Sequence, residues 1–291
     1  MKKFLGVLAA LSLAGCGSHS SGASSTTVTL PSWTVAPGTE MLKCVYQGLH
    51  NPEDRWVQEF DVSQIAGGHH LVAFLSTTDL PDGTEVDCGS PQSMESFRPL
   101  LLGLDKKGFH LPDHYAVRIP ANATIVYQSH YVNATTSPIN TLDQVKIHFV
   151  GHDSQTIPTG TWAVNRVAFD VPAGQRASAS EECIAPVDMN VFALFGHMHE
   201  WGSRVFIEAG PDASSMSTIY DVQHWTAAMR DAPPIDGFSF DAPMQIHAGD
   251  HVRLNCSWDN TQGSADLQFP KEMCASLFWF YPATESPICS D

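Results

Sequence analysis

Positive charge is scarce in this 291-residue chain: 15 lysines and arginines stand against 31 aspartates and glutamates, a formal net charge of −16. Such a balance repels polyanions, so nucleic acid is not an expected partner. Beyond the first fifteen residues no apolar run is long enough to cross a bilayer, which excludes membrane-spanning helices from the body. Sustained apolar spacing at the helical period is missing too, and there is neither a phosphate-cradling glycine loop nor a Gly-x-Ser-x-Gly elbow. Nucleotide-binding and serine-hydrolase chemistry therefore have no sequence support.

What is present begins with Met1-Lys2-Lys3 and the apolar stretch from Phe4 to Leu13, a charged and then hydrophobic pair of regions that reads as an export signal over residues 1–15. It closes on Leu13-Ala14-Gly15-Cys16, similar to a bacterial lipobox, which makes Cys16 the expected lipidated first residue of the mature protein. Residues 16–27 carry no core-forming run and are expected to be a flexible tether. Loss of the leader removes two lysines and leaves 13 bases against 31 acids, a balance of −18. The expectation is an exported lipoprotein, periplasmic or on the outer membrane, that touches the membrane only through its lipid.

The body is rich in short β-type runs punctuated by Pro, Gly, Asn and Asp. Trp56 to Val62, His70 to Ser76, Thr124 to Val132, Trp162 to Val171, Asn190 to His199 and His251 to Trp258 are among the clearest. Phe97 to Leu104 has the apolar density for a turn or two of helix. The expected class is all-β: two tandem antiparallel β-sandwiches of the jelly-roll kind, residues 28–165 and 166–291, because the body exceeds what one sandwich of about 100–150 residues needs. Apart from Cys16 there are six cysteines: Cys44 and Cys88 in the first half, Cys183, Cys256, Cys274 and Cys289 in the second. An even number in an exported chain points to disulfides, whose pairing the sequence alone leaves open.

Histidines mark the candidate chemistry. In Gly196-His197-Met198-His199 the two imidazoles fall two apart at the end of a strand-like run, so they project from one face, about 7 Å apart along the strand. Gly67-Gly68-His69-His70 sets two histidines side by side. On a regular strand they face opposite ways, and one metal takes both only if the backbone bends, as the glycines permit. His130 in Gln128-Ser129-His130-Tyr131 adds a third imidazole to that half, with Gln128 a possible hydrogen-bond helper. Three imidazoles suit copper or zinc. Met273 in Glu272-Met273-Cys274 supplies a thioether, which together with His197 and His199 favours copper(I).

These pieces, in this order, resemble the copper type II, ascorbate-dependent monooxygenases, the family of peptidylglycine α-hydroxylating monooxygenase and dopamine β-monooxygenase. The likeness extends over roughly residues 40–291. It implies two coppers: one held by His69, His70 and His130 for electron transfer, and a catalytic one, where O2 is bound and the C–H bond broken, held by His197, His199 and Met273. It also implies the pairs Cys44 with Cys88, Cys183 with Cys289 and Cys256 with Cys274. The implied reaction hydroxylates a C–H bond of a small substrate with O2 and an ascorbate-like reductant. The residues that bind the peptide carboxylate in the amidating member are replaced by Phe195, Ala275 and Leu277; loss of that charge and hydrogen bonding argues for an apolar or aromatic substrate instead. Two rivals stay open: a lipoprotein that binds copper without turnover, and a single-metal cupin-like barrel. The barrel would need a Glu where Ser203 and Arg204 stand and would leave His69, His70 and His130 idle.

Overall fold

Alternation decides most of this structure. Along Asp143–Val150 every second side chain is buried, and His251–Asp259 repeats the pattern with Val252, Leu254, Cys256 and Trp258 inside, the signature of a strand with one face on a core. A computed structural model describes residues 24–86, 88, 96–103 and 108–290. The expected leader (residues 1–15) and Cys16 lie outside the described residues.

In the N-terminal half the strands are β1 (Ser24–Thr29), β2 (Thr34–Val35), β3 (Glu40–Tyr46), β4 (Arg55–Gln64), β5 (Gly68–Ser76), β6 (Glu85–Val86), β7 (Phe97–Gly103), β8 (Phe109–His110), β9 (Tyr115–Ile119), β10 (Ile125–Val132), β11 (Ile139–Asn140) and β12 (Asp143–Val150). After β13 (Ile157–Asn165) come β14 (Arg176–Ile184), β15 (Met189–His197), β16 (Gly202–Gly210), β17 (Ser217–Val222), β18 (Asp236–Gly237), β19 (Met244–Ile246), β20 (His251–Asp259), β21 (Ala275–Tyr281) and β22 (Ile288–Ser290). A single 3-10 turn, Ala227–Arg230, interrupts the strands among the described residues. No helix there is long and apolar enough to cross a membrane.

The fold is an all-β sandwich in two packed halves. In the first, the ribbon β1-β12-β4-β9 faces the sheet β6-β3-β10-β5-β7, with Phe60, Ile147, Leu71 and Tyr127 among the buried contacts between them. In the second, β13-β21-β15-β18 faces β14-β20-β16-β17 across Trp162, Phe278, Ile207 and Trp258. The two halves share one continuous sheet. The first three residues of β13 pair with β9 and the remainder with β21, and Trp162 and Val164 already belong to the second core. The chain thus changes halves inside β13, a few residues ahead of the expected boundary at 165.

Four expectations need correcting. The sheets are not wholly antiparallel, because β13 runs parallel to both β9 and β22. Phe97–Gly103 is a strand and not a helical turn: Phe97 stacks on Phe74 with ring centroids 5.5 Å apart, and Pro99 is tolerated because β7 is the sheet's edge. The Trp162-to-Val171 run ends at Asn165, where the ladder with β21 stops at Ala275. Ser24–Thr27, expected within the tether, form the start of β1 on β12, a position that suits the β-branched Thr26, Thr27, Val28 and Thr29.

All three expected disulfides form: Cys44–Cys88, Cys183–Cys289 and Cys256–Cys274, with Cα separations of 5.6, 6.3 and 5.8 Å. The last fastens β20 to the residue that follows Met273.

Candidate metal centres

The adjacent histidines meet because the strand is not regular. His130 on β10 lies opposite His70 on β5, but the next pair is Tyr131 with Gly68, so His69 is the extra residue of a β-bulge. Gly67, two residues before His69, has φ +91°, a conformation open to glycine at no steric cost. The bulge turns His69 to the side of His70, and the ring centroids of His69 and His70 lie 4.9 and 4.7 Å from that of His130.

Hydrogen bonding settles which nitrogens face inward. His130 Nε2 sits 2.6 Å from Glu40 Oε1, and His70 Nε2 sits 3.3 Å from Gln128 Oε1. Both partners accept, so each Nε2 carries a proton, and in the neutral ring that leaves Nδ1 with a lone pair. Those two Nδ1 atoms are 3.4 Å apart, a juxtaposition that a shared cation relieves. Burial, and then the neighbouring His130, push the His70 pKa down to about 3, so this ring is the neutral form that metal ligation needs. Glu40 is held at about 2, chiefly by its hydrogen bond to His130 and then by Arg230, against the effect of its own burial.

The second half contributes to this group as well. Arg230 makes ion pairs to Glu40 and to Glu200, and Asp231 Oδ1 lies 2.5 Å from His69 Nδ1. One ligand atom from each of His69, His70, His130 and Asp231 falls within 4.8 Å of the others.

The second candidate centre is at the end of β15. His197 is the last residue of that strand, His199 follows two later, and their rings are 5.3 Å apart by centroid. Met198, between them, points away and is fully buried. His197 pairs with Ala275 on β21, and the ladder ends at that pair; Met273 lies two residues before Ala275, ahead of the strand and next to Glu272. His199 Nδ1 donates to the Lys271 carbonyl at 3.0 Å, which leaves Nε2 with its lone pair. Burial lowers the pKa of His199, and burial followed by His199 itself lowers that of His197 well below the ordinary value.

Glu272 holds this turn in place. Fully buried, it accepts hydrogen bonds from the backbone N–H groups of His199 (3.1 Å) and Trp201 (2.7 Å) and from Trp258 Nε1 (3.1 Å). Trp225 Nε1 donates to the His199 carbonyl at 2.8 Å. At Gly196 the opposite sheet comes so close that a Cβ would stand 2.5 Å from Val205 Cγ2. Beside the centre, Phe195 and Leu277 are buried and in register with each other, and Phe195 packs on Trp279 at 5.4 Å. The wall there is apolar.

The structure therefore gathers His69, His70 and His130 in one group and His197 and His199 in another; Met273 is brought near the second only in sequence, beside Glu272, whose carboxylate accepts from the His199 backbone. Sequence reasoning singled out Gln128 but missed Glu40, Arg230, Asp231 and Glu272. Only Glu272, a charged residue entering a core segment, carried a local signal. Two surface cavities, of about 240 and 100 Å³, open at Gln58 and His114 and at His50 and Asp82; neither is lined by any of the six expected ligands.

No family model matches the chain, and no curated protein matches it. Among solved structures it is distantly similar to the triple jelly roll protein of an archaeal virus, at 8% identity and a TM-score of 0.25. That match takes in 94% of this chain, which spans 58% of the length of the viral one. A second is the major capsid protein P2 of bacteriophage PM2, at 10% identity and a TM-score of 0.35 over 90% of this chain and 98% of that one. Likenesses of this degree carry no argument about what the chain does.

Proposed function

We propose that this protein is a copper-dependent monooxygenase that hydroxylates a C–H bond of a small apolar or aromatic substrate, exported and anchored through Cys16. The observation that carries the proposal is the way the ring N–H groups are held. Glu40, Gln128 and the Lys271 carbonyl each take the N–H of one histidine, which fixes the tautomer and aims the other nitrogen, as the outer partners of metal ligands do.

His69, His70 and His130 would hold one copper and His197, His199 and Met273 the other, where the thioether favours the reduced ion. Bound copper supplies one-electron storage at each site, so that one atom of O2 enters the substrate while the other leaves as water, with ascorbate or a similar reductant restoring both electrons. The chain's own part is to orient and to exclude. Glu272 keeps the His197–His199 turn in one shape, and burial keeps the His70, His197 and His199 rings neutral and open to metal. Phe195, Leu277 and Trp279 make the wall beside that turn apolar.

The test is to purify residues 17–291, load them with copper, and count metal in the wild type, Met273→Ile and His130→Ala. Two coppers per chain, with each variant losing a different one, and product formed from apolar amine or aromatic substrates only with O2 and ascorbate, is the expected result. One copper or none, unchanged in both variants, refutes it. A second reading, copper binding without turnover, draws on the apolar residues at 195, 275 and 277, because a scaffold that only holds metal needs no substrate anchor. The two part at O2 consumption with reductant and substrate present.

A further inference from the structure

Asp231 belongs to the C-terminal half yet ends among the histidines of the other. It caps the 3-10 turn Ala227–Arg230, and its neighbour Arg230 is tied to Glu40 on one half and Glu200 on the other. Its Oδ1 is buried, makes no hydrogen bond, and has Arg230 Nε 3.8 Å away. An anionic oxygen in that state is costly unless a cation meets it. Besides Arg230 it faces the three-imidazole group: Oδ1 lies 2.5 Å from His69 Nδ1, and a carboxylate oxygen of Asp231 lies within 4.8 Å of one ligand nitrogen from each of His69, His70 and His130.

We infer that Asp231 is the fourth ligand of the His69, His70 and His130 metal site, a carboxylate oxygen supplied from across the junction. The inference rests on the metal reading of those three histidines and adds two properties to it. A carboxylate beside three neutral imidazoles favours the harder, doubly charged ion, so copper(II) gains over copper(I) relative to a three-histidine set. The metal also bridges the two halves, so binding it fastens them together.

The experiment uses residues 17–291 carrying His199→Ala, which leaves the three-histidine site alone, titrated with copper(II) and, anaerobically, with copper(I). Asp231→Asn keeps the shape of the side chain and Asp231→Ala removes it. Both should weaken copper(II) by about 100-fold or more, at or beyond what losing a supporting residue costs, while copper(I) affinity moves by less than about 10-fold. The copper(II) resonance spectrum should shift in both variants. Wild-type copper(II) affinity and an unchanged spectrum in Asp231→Asn, with binding abolished by His130→Ala, would leave the metal site standing and overturn the role of Asp231. Binding unmoved by His130→Ala as well would remove the metal site and this ligand together. Should Asp231→Ala fail to fold, the isosteric Asp231→Asn decides alone.

Discussion

Glu272→Ala is the sharpest perturbation of the second centre. The carboxylate is fully buried and accepts three hydrogen bonds, two from the backbone at His199 and Trp201 and one from the Trp258 indole. Truncation leaves three buried donors unpaired, at about 1–3 kcal/mol each. Part of that is returned, since burial raises the Glu272 pKa, a sign that its charge is held at a desolvation cost of several kcal/mol. The expected net loss is about 3–4 kcal/mol. Glu272→Gln keeps the shape, but its amide group must turn a donor towards either Trp201 N–H or the His199 and Trp258 pair, so it should lose about 1–3 kcal/mol. Urea unfolding of the metal-free protein measures both. A loss under about 1 kcal/mol for Glu272→Ala, or equal losses for the two variants, would refute the view that these three bonds hold the turn. Copper counting adds a second readout: the site of His197 and His199 should weaken while that of His130 is unmoved.

Three further outcomes follow from the same geometry. Gly196→Ala forces a methyl group against Val205 and Tyr220; it should cost about 1–3 kcal/mol in unfolding experiments and weaken metal at the adjacent His197, and a neutral result would mean the sheets yield there freely. Replacing Cys183 and Cys289 by Ala opens a link between residues 106 apart and should lower stability by about 4–5 kcal/mol on the chain-entropy model, measured by thermal or urea unfolding. Asp259 is held at about 2, mainly by the Thr261 hydroxyl and then by Arg176. Its folded pKa lies below its unfolded one, so its contribution is present above about pH 4 and is lost as pH falls towards 2; Asp259→Asn should flatten the acid limb of stability in that window, and an unchanged slope would count against it.

Local chemistry was enough to determine the class of fold and half of each candidate centre. Strand periodicity depends on side chains two apart, so the cores of β12 and β20 could be read directly, and the same rule brings His197 and His199 to one side with Met198 buried behind them. The resemblance supplied the disulfide partners, which the fold then formed. Phe97–Gly103 and Ser24–Thr27 escaped because edge strands are decided by the neighbours they find, β5 and β12, and those neighbours are remote in sequence. The same limit applies at the centres. Nothing near His69 announces a bulge, which exists only in the register of β5 against β10. Arg230 meets Glu40 across 190 residues, and Asp231 reaches His69 because the halves share a sheet through β13. Residue type and spacing along the chain could nominate the donors; which nitrogen each presents, and which carboxylates stand behind or beside them, was decided by tertiary packing, because hydrogen-bond partners that distant leave no periodic trace in the sequence.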